Sequence, residues 1–252
     1  MRYFSTQDRS HTADFREATI RGQAPNRGLY FPETIPALSE SFLNDFRSYT
    51  KEALAFEVIQ PFIGDAIPGG DLKNIVAKTI DFMFPLVRVN EGMYALELFH
   101  GPTLAFKDVG ARFMSQCLGY FMQHEQKKVT VLVATSGDTG GAVANGFYNV
   151  PGVDVVILYP LGKVSSLQEM QLTTLGKNIR ALEIEGSFDD CQDMVKAAFM
   201  DADLNKALFL TSANSINVAR WLPQQFYYFF ALQQWQAQKP PVISVPSGNF
   251  GN

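Results

Sequence analysis

Lys107 stands in "GPTLAFKDVGARF" (101–113), with Leu104, Ala105 and Phe106 directly before it and Asp108 directly after. A glycine–proline pair opens the stretch, and a run with helical spacing closes it. Apolar neighbours strip water from an ammonium group, and the positive end of a helix repels it. Both lower a lysine's pKa. A neutral amine can attack a carbonyl carbon and form an imine. Taken alone, such a lysine reads as a snorkelling side chain at a helix N-terminus.

Three polar loops shift that reading. "ATSGDTGGA" (134–142), "TSANSINVAR" (211–220) and "PSGNFGN" (246–252) each follow or end a short apolar run. Each combines small residues with hydroxyl, amide or carboxyl groups. In a parallel α/β sheet, loops of this kind sit at the C-terminal strand ends, where ligands bind. Their backbone N–H groups suit an anion. One such loop is an ordinary α/β turn. Three on one edge, with an imine-forming lysine, point to pyridoxal 5'-phosphate, which offers an aldehyde, an electron sink and a phosphate.

Two nucleotide motifs fail. A Walker A loop needs a second glycine before its lysine and Ser or Thr after it. Here Phe106 precedes Lys107 and Asp108 follows. "SGDTGGA" lacks the G-x-G-x-x-G spacing, and "VDVVILYP" ends in proline rather than the acidic residue that would hold a ribose.

The elements that must position these residues follow from the pattern. Residues 26–36 read as a loop, and 71–84 as a helix capped by Asp71, with Leu72, Ile75, Val76, Ile80 and Met83 on one face. Two alternating runs around Asn90-Glu91-Gly92 read as a hairpin. Strands are expected at 129–134, 153–159, 178–184, 207–212 and 241–246. Helices are expected near 107–124, 139–149, 165–175, 187–200 and 215–238. Strands alternating with helices predict an α/β fold, a parallel sheet with helices on both faces. The expected organisation is a mixed N-terminal segment over 1–95 and an α/β region over 96–252. Within that region, about 129–210 forms a smaller lobe.

The chain has 252 residues, a net charge of −4 and a pI near 5.4. An acidic balance argues against a nucleic-acid partner. No apolar run reaches the ~18 residues of a membrane span, and "MRYFSTQDRSHTADF" has no apolar signal core. Cys117 and Cys191 fall in expected helices and read as buried small hydrophobes. With no disulfide framework and no metal spacing, the default location is cytoplasmic.

The motifs "ELFHGPTLAFKD", "ATSGDTGGA", "GKVSSLQEMQLTTLG", "GSFDDCQDMVK", "NSINVAR" and "SGNFGN", with "GLYFPETIP" near the start, together resemble the threonine synthase family. The resemblance covers nearly the whole chain, in order. It implies the tryptophan-synthase-β-like fold and a lyase that converts O-phospho-L-homoserine and water into L-threonine and phosphate. It also implies a role in threonine biosynthesis, as a monomer or homodimer. Lys107 would form the Schiff base with the cofactor. Gly248, Asn249, Phe250, Gly251 and Asn252 would hold the cofactor phosphate. Ser136, Asp138 and Thr139 match the loop facing the cofactor ring and the substrate carboxylate. Ser215, Asn217 and Arg220 match a segment that meets the substrate phosphate, a task that suits a guanidinium. Lys163 lies in a further matching motif. Its role stays open between the site and the solvated surface.

Family members are longer. The chain is therefore expected to be C-terminally truncated, lacking the rest of the large domain and the partner of the cofactor's ring nitrogen. As a truncated chain it is expected to be inactive, holding the cofactor weakly or not at all. Two alternatives stand beside this reading. One is a related β-eliminating or β-replacing enzyme of the same cofactor class, such as a threonine dehydratase or cysteine synthase. "NSINVAR" and the long segment before Lys107 argue against it. The other is a non-catalytic binder of phosphorylated ligands, which would show no imine absorbance.

Overall fold

The structure, a computed structural model, describes residues 1–123, 125 and 127–246. Strands β1 (Tyr3–Ser5) and β2 (Asp8–Ala13) precede helix α1 (Phe15–Arg21) and strand β3 (Tyr30–Pro32). The three strands form an antiparallel sheet in the order β2-β1-β3. Helices α2 (Glu40–Asp45), α3 (Lys51–Ile63) and α4 (Gly69–Thr79) follow. Next comes the hairpin of β4 (Leu86–Asn90) and β5 (Met93–Leu96). Its turn depends on Gly92, whose φ of 74° disfavours a side chain.

The remainder alternates. It runs α5 (Lys107–Met122), β6 (Val129–Ala134), α6 (Asp138–Gly146), β7 (Val153–Pro160), α7 (Ser166–Thr173), β8 (Ile179–Ile184), α8 (Phe188–Met200), α9 (Ala202–Ala207), β9 (Phe209–Ser212), α10 (Val218–Trp221) and α11 (Phe226–Gln234). The four strands of this part make a parallel sheet in the order β8-β7-β6-β9.

Every residue of β6 is buried, because helices cover both faces. Val129, Val131 and Val133 join the main core with Phe113 and Cys117 of α5. Leu132 and Ala134 point the other way and pack with Cys191 and Val195 of α8. Both cysteines are buried free thiols.

Four expectations need correction. Residues 241–246 form no strand. Val242 is 99% exposed, Ile243 and Val245 are exposed too, and no described strand lies beside them. Apolar alternation signals burial, and the described residues supply no partner surface for it. The expected helix over 215–238 is split into α10, a 3-10 turn at Leu222–Gln225 and α11. Pro223 lies at the start of that turn, where its missing N–H rules out a regular α-helical bond. Helix α4 is set back from 71–84. Pro68 is its N-cap, Asp71 lies in the first turn, and Met83 is exposed beyond its end. The stretch 26–36, read as a loop, contains β3.

Strands β6 and β9 are parallel neighbours, with Leu132 opposite Ser212. The loops 134–142 and 211–220 therefore open at the same sheet edge. The third loop, apart from the exposed Pro246, lies outside the described residues.

Candidate functional site

Lys107 is the first residue of α5 and is half-buried. Its ammonium sits over the Phe106 ring, 5.7 Å from the centroid. Burial pushes its pKa below the ordinary 10.5. Asp138 pulls in the opposite direction, and Arg220 adds to the lowering. The amine thus lies within the electrostatic reach of one residue from each of two polar loops, 134–142 and 211–220.

The loop before it is held from two sides. Asp108 accepts the Thr103 amide at 3.0 Å and the Thr103 hydroxyl at 2.5 Å. The Tyr227 hydroxyl, from α11, donates to the Phe106 carbonyl. Between these points Leu104 has a φ of 60°.

Thr135 shapes the second loop. Its hydroxyl donates to the Gly137 carbonyl at 2.9 Å and accepts the amides of Gly137 at 3.1 Å and Gly140 at 2.9 Å. Gly140 gives Thr135 its space, since a Cβ there would lie 2.5 Å from Thr135 Cγ2 and 2.7 Å from Leu172 Cδ2 and would force one of them to move. The loop delivers Asp138 to the first turn of α6. Gln168 donates to Asp138 Oδ1 at 2.8 Å. The same Gln168 forms the capping box of α7 with Ser165. Ser136 and Asp138 are exposed and Thr139 is partly so. All three lie beside the start of α6, open to the edge.

In the third segment, Arg220 is 3% exposed. Its Nη1 donates to the Ala213 carbonyl, and its Nε has no partner. Burial pushes its pKa down to about 10, against the pull of Tyr227 and Asp108. Asn217 is fully buried, and its amide is spent on structure. Nδ2 donates to Thr19 O at 2.9 Å and Ser212 O at 3.2 Å, while Oδ1 caps α10 by accepting the Ala219 amide at 2.9 Å. Ser215 is exposed and lines a separate apolar groove of about 500 Å³ with Tyr30, Phe31 and Trp221. Lys107, Asp138 and Arg220 do not line that groove. Lys163 is exposed.

Asp138 and Arg220 both act on the Lys107 amine through their charge. Asn217 stands behind them as a cap, and Ser215 faces elsewhere. Gly248, Asn249, Phe250, Gly251 and Asn252 lie outside the described residues. Sequence reasoning missed Thr135, Gln168, Asp108 and Tyr227. Only the first had a local signal, a hydroxyl at the strand end just before a glycine-rich turn. Among the described residues no cluster of His, Cys, Asp and Glu could hold a metal, and no helix is long and apolar enough to cross a membrane.

The described residues fit an aldehyde and a separate anion. An amine shifted toward its neutral form suits the carbonyl. The unpartnered, buried Arg220 Nε is a donor that an anion would satisfy.

Comparison with known proteins gives a consistent picture. Residues 2–80 match the family model "Threonine synthase N terminus", and residues 83–252 match "Pyridoxal-phosphate dependent enzyme". The chain is 45% identical to the threonine synthase of Escherichia coli K12, covering all of this chain and 59% of that protein. The crystal structure of the Escherichia coli threonine synthase superposes with a TM-score of 0.92 over the same shares. A pyridoxal-phosphate-bound threonine synthase from Brucella melitensis is 39% identical, with a TM-score of 0.86 over 92% of this chain and 52% of that one.

Proposed function

We propose a threonine synthase reaction for this chain, which belongs to the pyridoxal-phosphate dependent enzyme family. The reaction takes O-phospho-L-homoserine and water to L-threonine and phosphate. The observation that carries the proposal is the half-buried Lys107 amine, lowered in pKa by burial and within the electrostatic reach of Asp138 and Arg220. Similarity to threonine synthases over the whole chain supports it. The chain spans 59% of the length of the Escherichia coli relative.

When bound, pyridoxal phosphate supplies an aldehyde for an amine and a ring that takes up negative charge from the substrate's Cα. Lys107 would hold the cofactor through that aldehyde and would be freed when the substrate amine takes its place. The freed Lys107 amine would take the proton from Cα, pass it on to the cofactor so that it is neutral again, and then take the proton from Cβ as the γ-phosphate leaves. Lys107 would return one proton to Cγ, water would add its hydroxyl at Cβ with its second proton balancing the released phosphate, and Lys107 would carry the other proton back to Cα. One base can serve these transfers only if its pKa lies near the working pH, as burial encourages. Asp138, held by Gln168, faces the amine and steadies its protonated form between transfers. The Arg220 Nε is the donor proposed for the substrate phosphate. Ser136 and Thr139 at the start of α6 are proposed to face the substrate carboxylate, and residues 248–252 the cofactor phosphate. Ser215 keeps its proposed place on the substrate side only if the groove it lines joins the site on binding. Asn217 acts by holding Arg220.

The same reading assigns the chain a role in threonine biosynthesis in the cytoplasm. It divides the chain at about residue 95, with 129–210 as a smaller lobe. The test is product analysis with O-phospho-L-homoserine and pyridoxal phosphate. Equal amounts of threonine and phosphate would support the proposal and overturn the expectation of an inactive chain. A keto acid in place of threonine would favour a dehydratase-like enzyme.

A further inference from the structure

Leu104 lies three residues before Lys107 with a φ of 60°, a left-handed conformation that a branched side chain rarely adopts. Its side chain is 65% exposed, so packing does not offset the strain. Asp108, next to the lysine on the other side, is a carboxylate only 1% exposed. Burial raises its pKa, the mark of an anion held where water is scarce. Its oxygens accept the amide and hydroxyl of Thr103, and the Ala105 backbone N–H also favours the carboxylate, so its partners flank Leu104 on both sides. Gly101 leaves the carboxylate its space, since a Cβ there would run into Asp108 Oδ2. On the far side of Leu104 and Ala105, Tyr227 holds the Phe106 carbonyl. Two costly features therefore flank one lysine, and neither improves the core. Strain of this kind persists where surrounding contacts impose it, and it gathers at working sites.

We propose that Asp108 is a positioning residue. Through Thr103 it fixes the left-handed turn at Leu104, so that Lys107 enters the site in one direction. The proposal rests on the reading of Lys107 as the reactive amine. Asp108 touches no reacting atom. It acts on the backbone that carries the lysine, and Tyr227 completes the clamp from the opposite end.

The experiment uses the full chain with pyridoxal phosphate, cyanoborohydride to trap the imine, and peptide mass mapping at Lys107. Thr103→Val keeps the shape of the side chain and removes the hydroxyl. It should slow trapping at Lys107 about 10-fold, the scale of a small misplacement of a reacting group. Thr103→Ser restores the hydroxyl and should return the rate to within about twofold of the unaltered chain. Asp108→Asn should match the valine variant and speed amide exchange in residues 101–106. If Asp108→Asn does not fold, the valine and serine pair decides. Trapping that Thr103→Val leaves unslowed, or slowing that Thr103→Ser fails to relieve, would overturn the proposal alone. No trapping at Lys107 in the unaltered chain would overturn the reading of the lysine, and the proposal with it.

Discussion

Lys107 carries a proton whose affinity depends on burial, on Asp138 and on Arg220. Its pKa is lower in the folded chain than the ordinary 10.5. Between those two values the unfolded chain binds the extra proton, so this group's contribution to stability rises with pH through that window. Trapping of Lys107 should follow the same titration and reach half its plateau below pH 10.5. Asp138 raises the pKa, so Asp138→Asn should move that midpoint to lower pH. A midpoint that stays put or climbs would show that Asp138 does not face the amine. Lys107→Ala should abolish the trapped label and turnover, and a label mapped to another lysine would reassign the role. Arg220→Lys keeps a cation and removes Nε. A charge-assisted hydrogen bond contributes roughly 1.5–3 kcal/mol, so substrate affinity should fall about tenfold or more with cofactor binding little changed. Equal losses for both ligands would mean a general role for the arginine. Lys107 was legible because a charge beside an apolar run conflicts with its own surroundings. Tyr227 was not, because its partner carbonyl lies 121 residues away. Gln168 reaches Asp138 across 30. Residue types report such contacts only after the chain has folded.

Caps and breaks fix the elements that deliver these residues. Ser187 and Asp190 form a reciprocal capping box at the start of α8, a pattern visible in sequence because both partners lie within one turn. Asn217 also caps a helix, but it ties that cap to Thr19 O, 198 residues away. Ser187→Ala should cost about 1 kcal/mol, the usual loss for an exposed N-cap. Asn217→Ala should cost more, about 2 kcal/mol or above, because it also leaves the buried carbonyl of Thr19 without its donor. Urea unfolding of the two variants checks the order, and equal midpoints would count against it. In the alternating half, β6, β7 and β8 and the helices α6, α7 and α8 were legible to within about three residues, while α9, which overlaps the start of the strand expected at 207–212, was not. Strand β6 ends where the apolar run ends, and Ser165 and Ser187 announce the helices after them. The helix over 215–238 was not legible as three pieces, since its aromatic run is apolar on every side and hides the break at Pro223. Strands β1 and β3 were missed because three residues are too few to show a period.

Across the whole molecule, the part matched by the N-terminal family model and the part matched by the cofactor family model share one core. Tyr3, Phe15 and Leu54 lie in the same apolar cluster as Val129, Val131 and Phe147. Phe15 is fully buried, 6.1 Å from the Tyr3 ring and 6.2 Å from the Phe121 ring of α5. Phe15→Ala should therefore cost about 3–5 kcal/mol. It should lower the unfolding midpoint reported by Trp221 fluorescence and by amide exchange in β6 to the same extent. Separate midpoints would show two independently stable parts.

The order β8-β7-β6-β9 has a further consequence, for how the chain is made. One edge of β6 finds β7 soon after it is synthesised, but the other must wait for β9. From Ala134 to Phe209 the numbering advances by 75, about 4–15 s of synthesis at ~5–20 residues per second. For that interval an all-apolar strand, except for Thr130, shows an open row of backbone donors and acceptors, the template on which strands of other chains can pair. A nascent chain paused before Phe209 should bind holding chaperones far more strongly than one paused after Ser212.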